Sequence, residues 1–135
     1  PERVALEVSH TSALADDPAA LVALRSLQTD GFHLVIDDFG TGYSTAARLA
    51  ALPFAEVKID TRFVRKCLRS DSAAGAVEAM VSTARDLDMD CTAEGVENQQ
   101  ILDKLVSWGC DYAQGYYIAR PMPADELEHW IASTR

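Results

Sequence analysis

The chain has 135 residues, of which 48% are hydrophobic and 24% charged, and this predicts one globular domain rather than a disordered segment. Its net charge of −9 argues against broad binding to nucleic-acid polymers or anionic lipid. There is no apolar run long enough to span a membrane and no signal-peptide pattern, and the three cysteines lack metal-site spacing. We therefore expect a reduced, cytoplasmic protein. Because the chain starts at Pro1 rather than Met, we expect a fragment.

Five short apolar runs predict β-strands, and the segments between them carry helical patterns. The predicted strands are Arg3–Glu7, His33–Asp37, Glu56–Ile59, Asp90–Ala93 and Tyr112–Gln114. Helix starts are predicted at Asp17-Pro18 and Pro123, a buried stripe at 77–87, and helix ends at Gly31 and Gly109. This alternation predicts an α/β fold with a parallel sheet. Five βα units are too few for an eight-stranded barrel, so an open sheet and part of a barrel both remain possible.

Two adjacent carboxylates, Asp37 and Asp38, stand at the C-terminal end of the second predicted strand, ahead of Gly40 and Gly42. Neighbouring carboxylates repel each other, and a hard divalent ion such as Mg²⁺ or Mn²⁺ is a suitable counterion. The alternative is an ordinary turn, because Asp and Gly are common turn residues.

Further polar residues follow the other predicted strands. They are Glu7, Lys58, Asp60, Glu94, Glu97 and Gln114. Since the carboxyl ends of parallel strands meet at one edge of a sheet, we expect these side chains to converge there. Two metal ions about 4 Å apart would suit phosphodiester hydrolysis. Lys58 would then orient the attacking water or neutralise charge on the phosphate.

Six motifs, in order, resemble the C-terminal part of an EAL domain, the cyclic-di-GMP phosphodiesterase family. They are Leu6-Glu7-Val8, Asp37-Asp38-Phe39-Gly40-Thr41-Gly42-Tyr43-Ser44, Val57-Lys58-Ile59-Asp60, Ala93-Glu94-Gly95-Val96-Glu97, Gln114-Gly115-Tyr116 and Arg120-Pro121-Met122-Pro123. The resemblance covers essentially the whole chain. It implies that residues 1–135 are a partial EAL domain, a TIM-type (β/α) barrel with one strand against the others, whose first strands lie upstream.

The resemblance also implies a function in bacterial second-messenger signalling, the metal-dependent hydrolysis of cyclic-di-GMP to pGpG. Under it, Glu7 and Asp37 hold one Mg²⁺ or Mn²⁺, and Asp37 bridges to a second ion held with Asp38 and Glu94. The catalytic residues are Lys58, which contacts the hydrolytic water, Glu94, and Gln114, which lies near the metal-bound water.

The remaining residues that the resemblance assigns contact substrate or form a mobile loop. They are Phe39, Gly40, Thr41, Gly42, Tyr43, Ser44, Glu97, Arg120 and Pro121. This loop is expected to couple metal binding to contacts in a homodimer. Exposed strand edges, at Arg3–Glu7 above all, are a second route to association.

Two departures from the family predict impaired activity in this chain. The signature Glu-Ala-Leu, a substrate-binding Arg and an Asn metal ligand would lie before Pro1. His10 also stands where the family usually has a Glu that braces the acidic loop. A catalytically degenerate cyclic-di-GMP receptor or interaction module is therefore the alternative function. A receiver domain ranks lower, since no lysine follows Lys104, and pairing of two half-barrels is a further possibility.

Several polar residues have simpler interpretations. Asp60 is expected to cap the following helix, and Glu97 is either a substrate contact or a first-turn helix acid. A basic cluster is predicted to be a solvated helix face, while His33 and Cys91 are predicted to pack. That cluster is Arg62, Arg65, Lys66 and Arg69.

Overall fold

A computed structural model of the chain describes residues 1–9, 17–41 and 46–134. In chain order its elements are β1 (Ala5–Val8), α1 (Pro18–Thr29), β2 (His33–Phe39), α2 (Ala46–Ala50), β3 (Glu56–Ile59), α3 (Thr61–Val64), α4 (Asp71–Asp86), β4 (Asp90–Glu94), α5 (Gln99–Trp108), β5 (Tyr112–Gln114) and α6 (Ala124–Ser133). All five predicted strands are confirmed, with β3 and β5 at the predicted bounds.

The five strands form one parallel sheet in the order β1-β2-β3-β4-β5. The antiparallel strand that the resemblance implies is not among these five strands of the described residues. Because every strand runs in the same direction, their carboxyl ends lie along one rim. This arrangement allows the side chains at the strand ends to lie near one another, as predicted.

Strand register divides the sheet into an apolar face and a polar face. The apolar face packs into the helix-lined core and carries Leu34, Ile36, Val57, Ile59, Cys91 and Ala93. Alternate residues point to the opposite face. These include Glu7, Glu56, Lys58, Thr92, Glu94 and Gln114. Helices thus cover one face, as in the wall of a barrel, and the other face carries the charged and amide side chains.

Helix boundaries follow the predicted capping residues. Asp17 accepts a hydrogen bond from the Ala19 N–H at 2.9 Å and caps α1, whose predicted start is confirmed. Gly109 ends α5 in the left-handed conformation at φ 79°, also as predicted. The last helix starts directly after Pro123, but Leu127 stays 42% exposed, so its apolar stripe is only partly covered.

None of the helices in the described part of the chain has the length and apolar character that a bilayer crossing requires.

Candidate functional site

Lys58 is the centre of the polar rim. Its Nζ donates to Glu7 Oε1 at 2.8 Å and lies 2.6 Å from Glu94 Oε1. The lysine side chain is 8% exposed. Burial lowers the pKa of the ammonium, but hydrogen bonds to both carboxylates outweigh burial and raise the pKa to about 12. Lys58 therefore stays charged and links β1, β3 and β4.

The acidic pair lies in a distorted end of β2. The register between β2 and β3 shifts between Ile36 and Phe39, and Asp38 has a left-handed backbone at φ 57°. Asp is among the few non-glycine residues that tolerate this conformation. The Asp37 Oδ1 accepts the Asp38 N–H at 2.9 Å, and the Thr41 hydroxyl donates to the Asp38 carbonyl at 2.8 Å. The register shift and the left-handed residue interrupt the regular alternation of side chains at the acidic pair.

Asp60 directly follows β3 and stands at the start of α3. It caps α3 by accepting the Arg62 N–H at 2.7 Å, which confirms its predicted capping role. The Arg62 guanidinium also holds both oxygens of Asp60, at 2.8 and 3.0 Å, and lowers the pKa of that carboxyl to about 2. A hydrogen bond with Asp60 raises the pKa of Asp38.

The other end of the rim is a small cleft between β4 and β5. Glu94 and Gln114 are register partners there. Glu97 lies before the first turn of α5 and pairs with Arg65 at 2.7 Å, so it is not a helix first-turn acid. The cleft has a volume of about 240 Å³ and is lined by Thr61, Arg65, Glu94, Gly95, Glu97, Gln114, Gly115 and Tyr116.

Arg120 and Pro121 adjoin this cleft. Both line a neighbouring cavity together with Gln114 and Tyr116. The Arg120 guanidinium carbon lies 4.7 Å from the centroid of the Tyr116 ring, a cation–π contact. These residues place a cation and an aromatic surface beside Gln114.

The structure brings some predicted site residues together and separates others. Glu7, Lys58 and Glu94 meet directly, whereas Asp37 and Asp38 lie at the distorted end of β2. Phe39 is buried and Thr41 exposed. The predicted residues Gly42, Tyr43 and Ser44, and also His10, lie outside the described residues.

The donor chemistry of the rim fits a hard divalent ion, because its strand ends supply carboxylate oxygens. Glu7 and Glu94 already converge on one cation, the Lys58 ammonium. A third ligand does not join them, since the described residues contain no group of three His, Cys, Asp or Glu side chains that could hold a metal ion.

Sequence reasoning missed three features of the site. It did not predict the ion pair of Arg62 with Asp60 or that of Arg65 with Glu97. It also missed a second polar layer below Lys58, in which Glu56 binds His33 at 3.0 Å and accepts from the Thr92 hydroxyl. The signal for that layer was available, because Glu56 lies two residues before Lys58 and so faces the same side of the sheet. The basic cluster is exposed, as predicted, but it is not a helix face, since α3 ends at Val64 and only Arg62 lies within it.

Comparison with known proteins identifies close relatives. The family model for the EAL domain matches residues 1–121. The chain is 40% identical over 127 residues to MucR of Pseudomonas aeruginosa, named a bifunctional diguanylate cyclase/cyclic di-GMP phosphodiesterase. It is also 36% identical over 123 residues to RocR of the same organism, named a cyclic di-GMP phosphodiesterase.

These matches cover nearly all of the chain but only part of each relative. They span 94% of this chain and 18% of MucR, and 91% of this chain and 31% of RocR. A solved structure of the MucR phosphodiesterase in complex with c-di-GMP superposes with a TM-score of 0.88, over 94% of this chain and 51% of that one. This chain therefore has the α/β architecture of the TIM-type barrel and spans about half of the solved domain.

Proposed function

The chain belongs to the EAL domain family, and from that premise we propose that its polar rim takes part in the hydrolysis of cyclic-di-GMP to pGpG. The observation that carries the proposal is the meeting of Glu7, Lys58 and Glu94 at the carboxyl ends of three parallel strands. We further propose that residues 1–135 are the C-terminal part of the domain, with further strands and ligands supplied by the rest of the barrel.

The proposed metal ligands are the carboxylates of the rim. Glu7 and Asp37 would hold one Mg²⁺ or Mn²⁺, and Asp37, Asp38 and Glu94 a second. Such ions polarise a phosphoryl oxygen and lower the pKa of bound water. The bulge at the end of β2 supports this assignment, because adjacent side chains of a regular strand point to opposite faces, and the register shift with the left-handed Asp38 interrupts that alternation.

Lys58 and Gln114 act on the reacting groups in this proposal. The Lys58 ammonium remains charged at neutral pH, so it can stabilise negative charge as it develops on the phosphate. The amide of Gln114 lies beside Glu94 on β5 and can orient a water molecule by donating and accepting hydrogen bonds. Both groups stand on strands, which fixes their positions.

Binding of the nucleotide is assigned to the β4–β5 side of the rim. Arg65 holds Glu97 in place, and Arg120 lies over the Tyr116 ring next to Pro121. A purine base can stack on an aromatic or guanidinium plane, and a carboxylate can accept hydrogen bonds from its edge. The predicted loop 39–44 is corrected at Phe39, which ends β2 and is buried, and the exposed residues Gly40 and Thr41 that follow are assigned to coupling the site to a second copy of the chain.

Incubation of the purified chain with cyclic-di-GMP and Mg²⁺ or Mn²⁺, followed by chromatography for pGpG, tests the proposal. We expect product formation to disappear in Asp37→Ala and to persist in Asp86→Ala, a matched change on the exposed end of α4. The same pair of variants is then compared in a longer protein that contains the upstream part of the barrel. Binding of cyclic-di-GMP without turnover in that protein would refute hydrolysis and indicate a receptor instead.

A further inference from the structure

The buried Lys58 ammonium contacts two carboxylates of the rim, those of Glu7 and Glu94. Glu7 comes from β1 and Glu94 from β4, yet each places its Oε1 within 2.8 Å of the same Nζ. The lysine side chain is 8% exposed, whereas Glu94 is 23% and Glu7 49% exposed, so water screens Glu7 most and the lysine least. Two carboxylates this close repel each other unless a cation lies between them.

We propose that Lys58 and a divalent metal ion compete for Glu7 and Glu94, so that Lys58 sets the metal affinity of the rim. This inference rests on the proposed function, which assigns both carboxylates as metal ligands. It adds that Lys58 opposes metal binding instead of only acting on the substrate.

The competition follows from charge and from the limited number of carboxylate oxygens. A metal ion that takes the Oε1 atom of Glu7 or of Glu94 must displace the ammonium from that carboxylate, so the ammonium loses one of its two ionic partners. A metal ion that takes an Oε2 atom leaves the ammonium in place and is repelled by it at short range. In either arrangement the positive charge of Lys58 weakens metal binding.

Two other roles for Lys58 give different expectations. If Lys58 acts only on water or phosphate, its removal leaves metal affinity unchanged. If it holds Glu7 and Glu94 in a geometry that the metal needs, its removal weakens metal binding. Competition alone makes metal binding tighter when the charge is removed, so the direction of the change separates the three roles.

The test measures Mn²⁺ binding to the chain without substrate, from the loss of the electron paramagnetic resonance signal of free Mn²⁺. We expect Lys58→Met to bind Mn²⁺ about tenfold more tightly than the wild type, within the range usual for two coupled binding events. Lys58→Arg keeps the charge and is expected to bind no more tightly than the wild type. The matched control is Lys104→Met on α5, where the ammonium contacts the Cys67 carbonyl and the Trp108 ring, and we expect wild-type affinity.

Each outcome decides the inference. Unchanged or weaker binding by Lys58→Met overturns it, and so does the absence of binding in both Lys58→Met and the wild type. If Lys58→Met fails to fold without metal, circular dichroism measures whether Mn²⁺ restores its structure, as expected if either cation can serve the two carboxylates. Failure of Mn²⁺ to do so also overturns it. Because no turnover is measured, a failure of the proposed hydrolysis is detected separately.

Discussion

Gly115 occupies a position where the backbone leaves no room for a side chain. A Cβ placed there would lie 2.2 Å from the Val96 carbonyl oxygen and 2.3 Å from the Val96 nitrogen. Both are main-chain atoms, so no side-chain rotation can relieve the overlap. The end of β5 and the turn after β4 must move apart in Gly115→Ala.

The cost follows from what that movement disturbs. The Val96 N–H donates to the Gln114 carbonyl at 3.0 Å, and the Tyr117 N–H donates to the Val96 carbonyl at 3.0 Å. Weakening these two hydrogen bonds costs about 1 kcal/mol each, and overpacking adds roughly 1–3 kcal/mol. We expect a total of about 3–5 kcal/mol. With an unfolding entropy of about 2.1 cal/mol/K per residue over 135 residues, Tm falls by about 11–18 °C.

Thermal unfolding followed by circular dichroism at 222 nm measures this change. Gly75→Ala is the matched control, because Gly75 lies inside α4 and a Cβ there meets no atom within 4 Å. Alanine is the better helix former by roughly 0.5–1 kcal/mol, so that control is expected to raise Tm by about 2–3 °C. A Gly115→Ala protein that melts within 2 °C of the wild type would refute the steric reasoning.

Three further predictions concern acid stability, capping and thiol reactivity. The pKa of Asp60 lies at about 2, below its ordinary 3.8, so its charged form adds stability above about pH 4 that is lost as the pH falls towards 2. Denaturant midpoints between pH 5 and pH 2 are therefore expected to fall less steeply in Asp60→Asn, and an equal fall would contradict the pairing with Arg62. Asn98→Ala removes the cap that accepts the Ile101 N–H at 3.0 Å, so it is expected to cost about 1 kcal/mol in chemical denaturation, unlike Gln100→Ala on the exposed side of the same helix. Burial raises the pKa of the Cys67 thiol, and a hydrogen bond with Cys110 together with burial raises the pKa of the Cys91 thiol. Ellman's reagent is therefore expected to react with Cys110 well before it reacts with Cys67 or Cys91. Fast modification of all three thiols would contradict the burial of Cys67 and Cys91.

Strands and caps were predictable because their signals are local. Each predicted strand is a short apolar run, and Asp17, Asp60 and Gly109 carry their capping role in their own chemistry. The helix α2 was not located in advance, because five residues give too little periodicity.

The pairs that organise the site were less predictable, because they depend on strand register. Glu7 and Lys58 are separated by 51 residues and stand on strands that have β2 between them. A sequence motif places each at the end of its strand but does not say which charges meet. The left-handed backbone of Asp38 was not predictable either, because it stands where the register between β2 and β3 shifts.

Position along a strand separates the polar side chains of the open face into two groups. Lys58 is near the end of β3 and contacts carboxylates at the rim, whereas Glu56 starts the same strand and binds His33 and Thr92 below it. Both layers give the polar side chains of this sheet face hydrogen-bond or ion-pair partners, as buried polar groups require. Only the upper layer lies at the carboxyl ends, where a parallel sheet exposes its side chains to ligands. In this sheet, the acid at the start of β3 therefore belongs to a structural pair, and the acids near the strand ends belong to the candidate site.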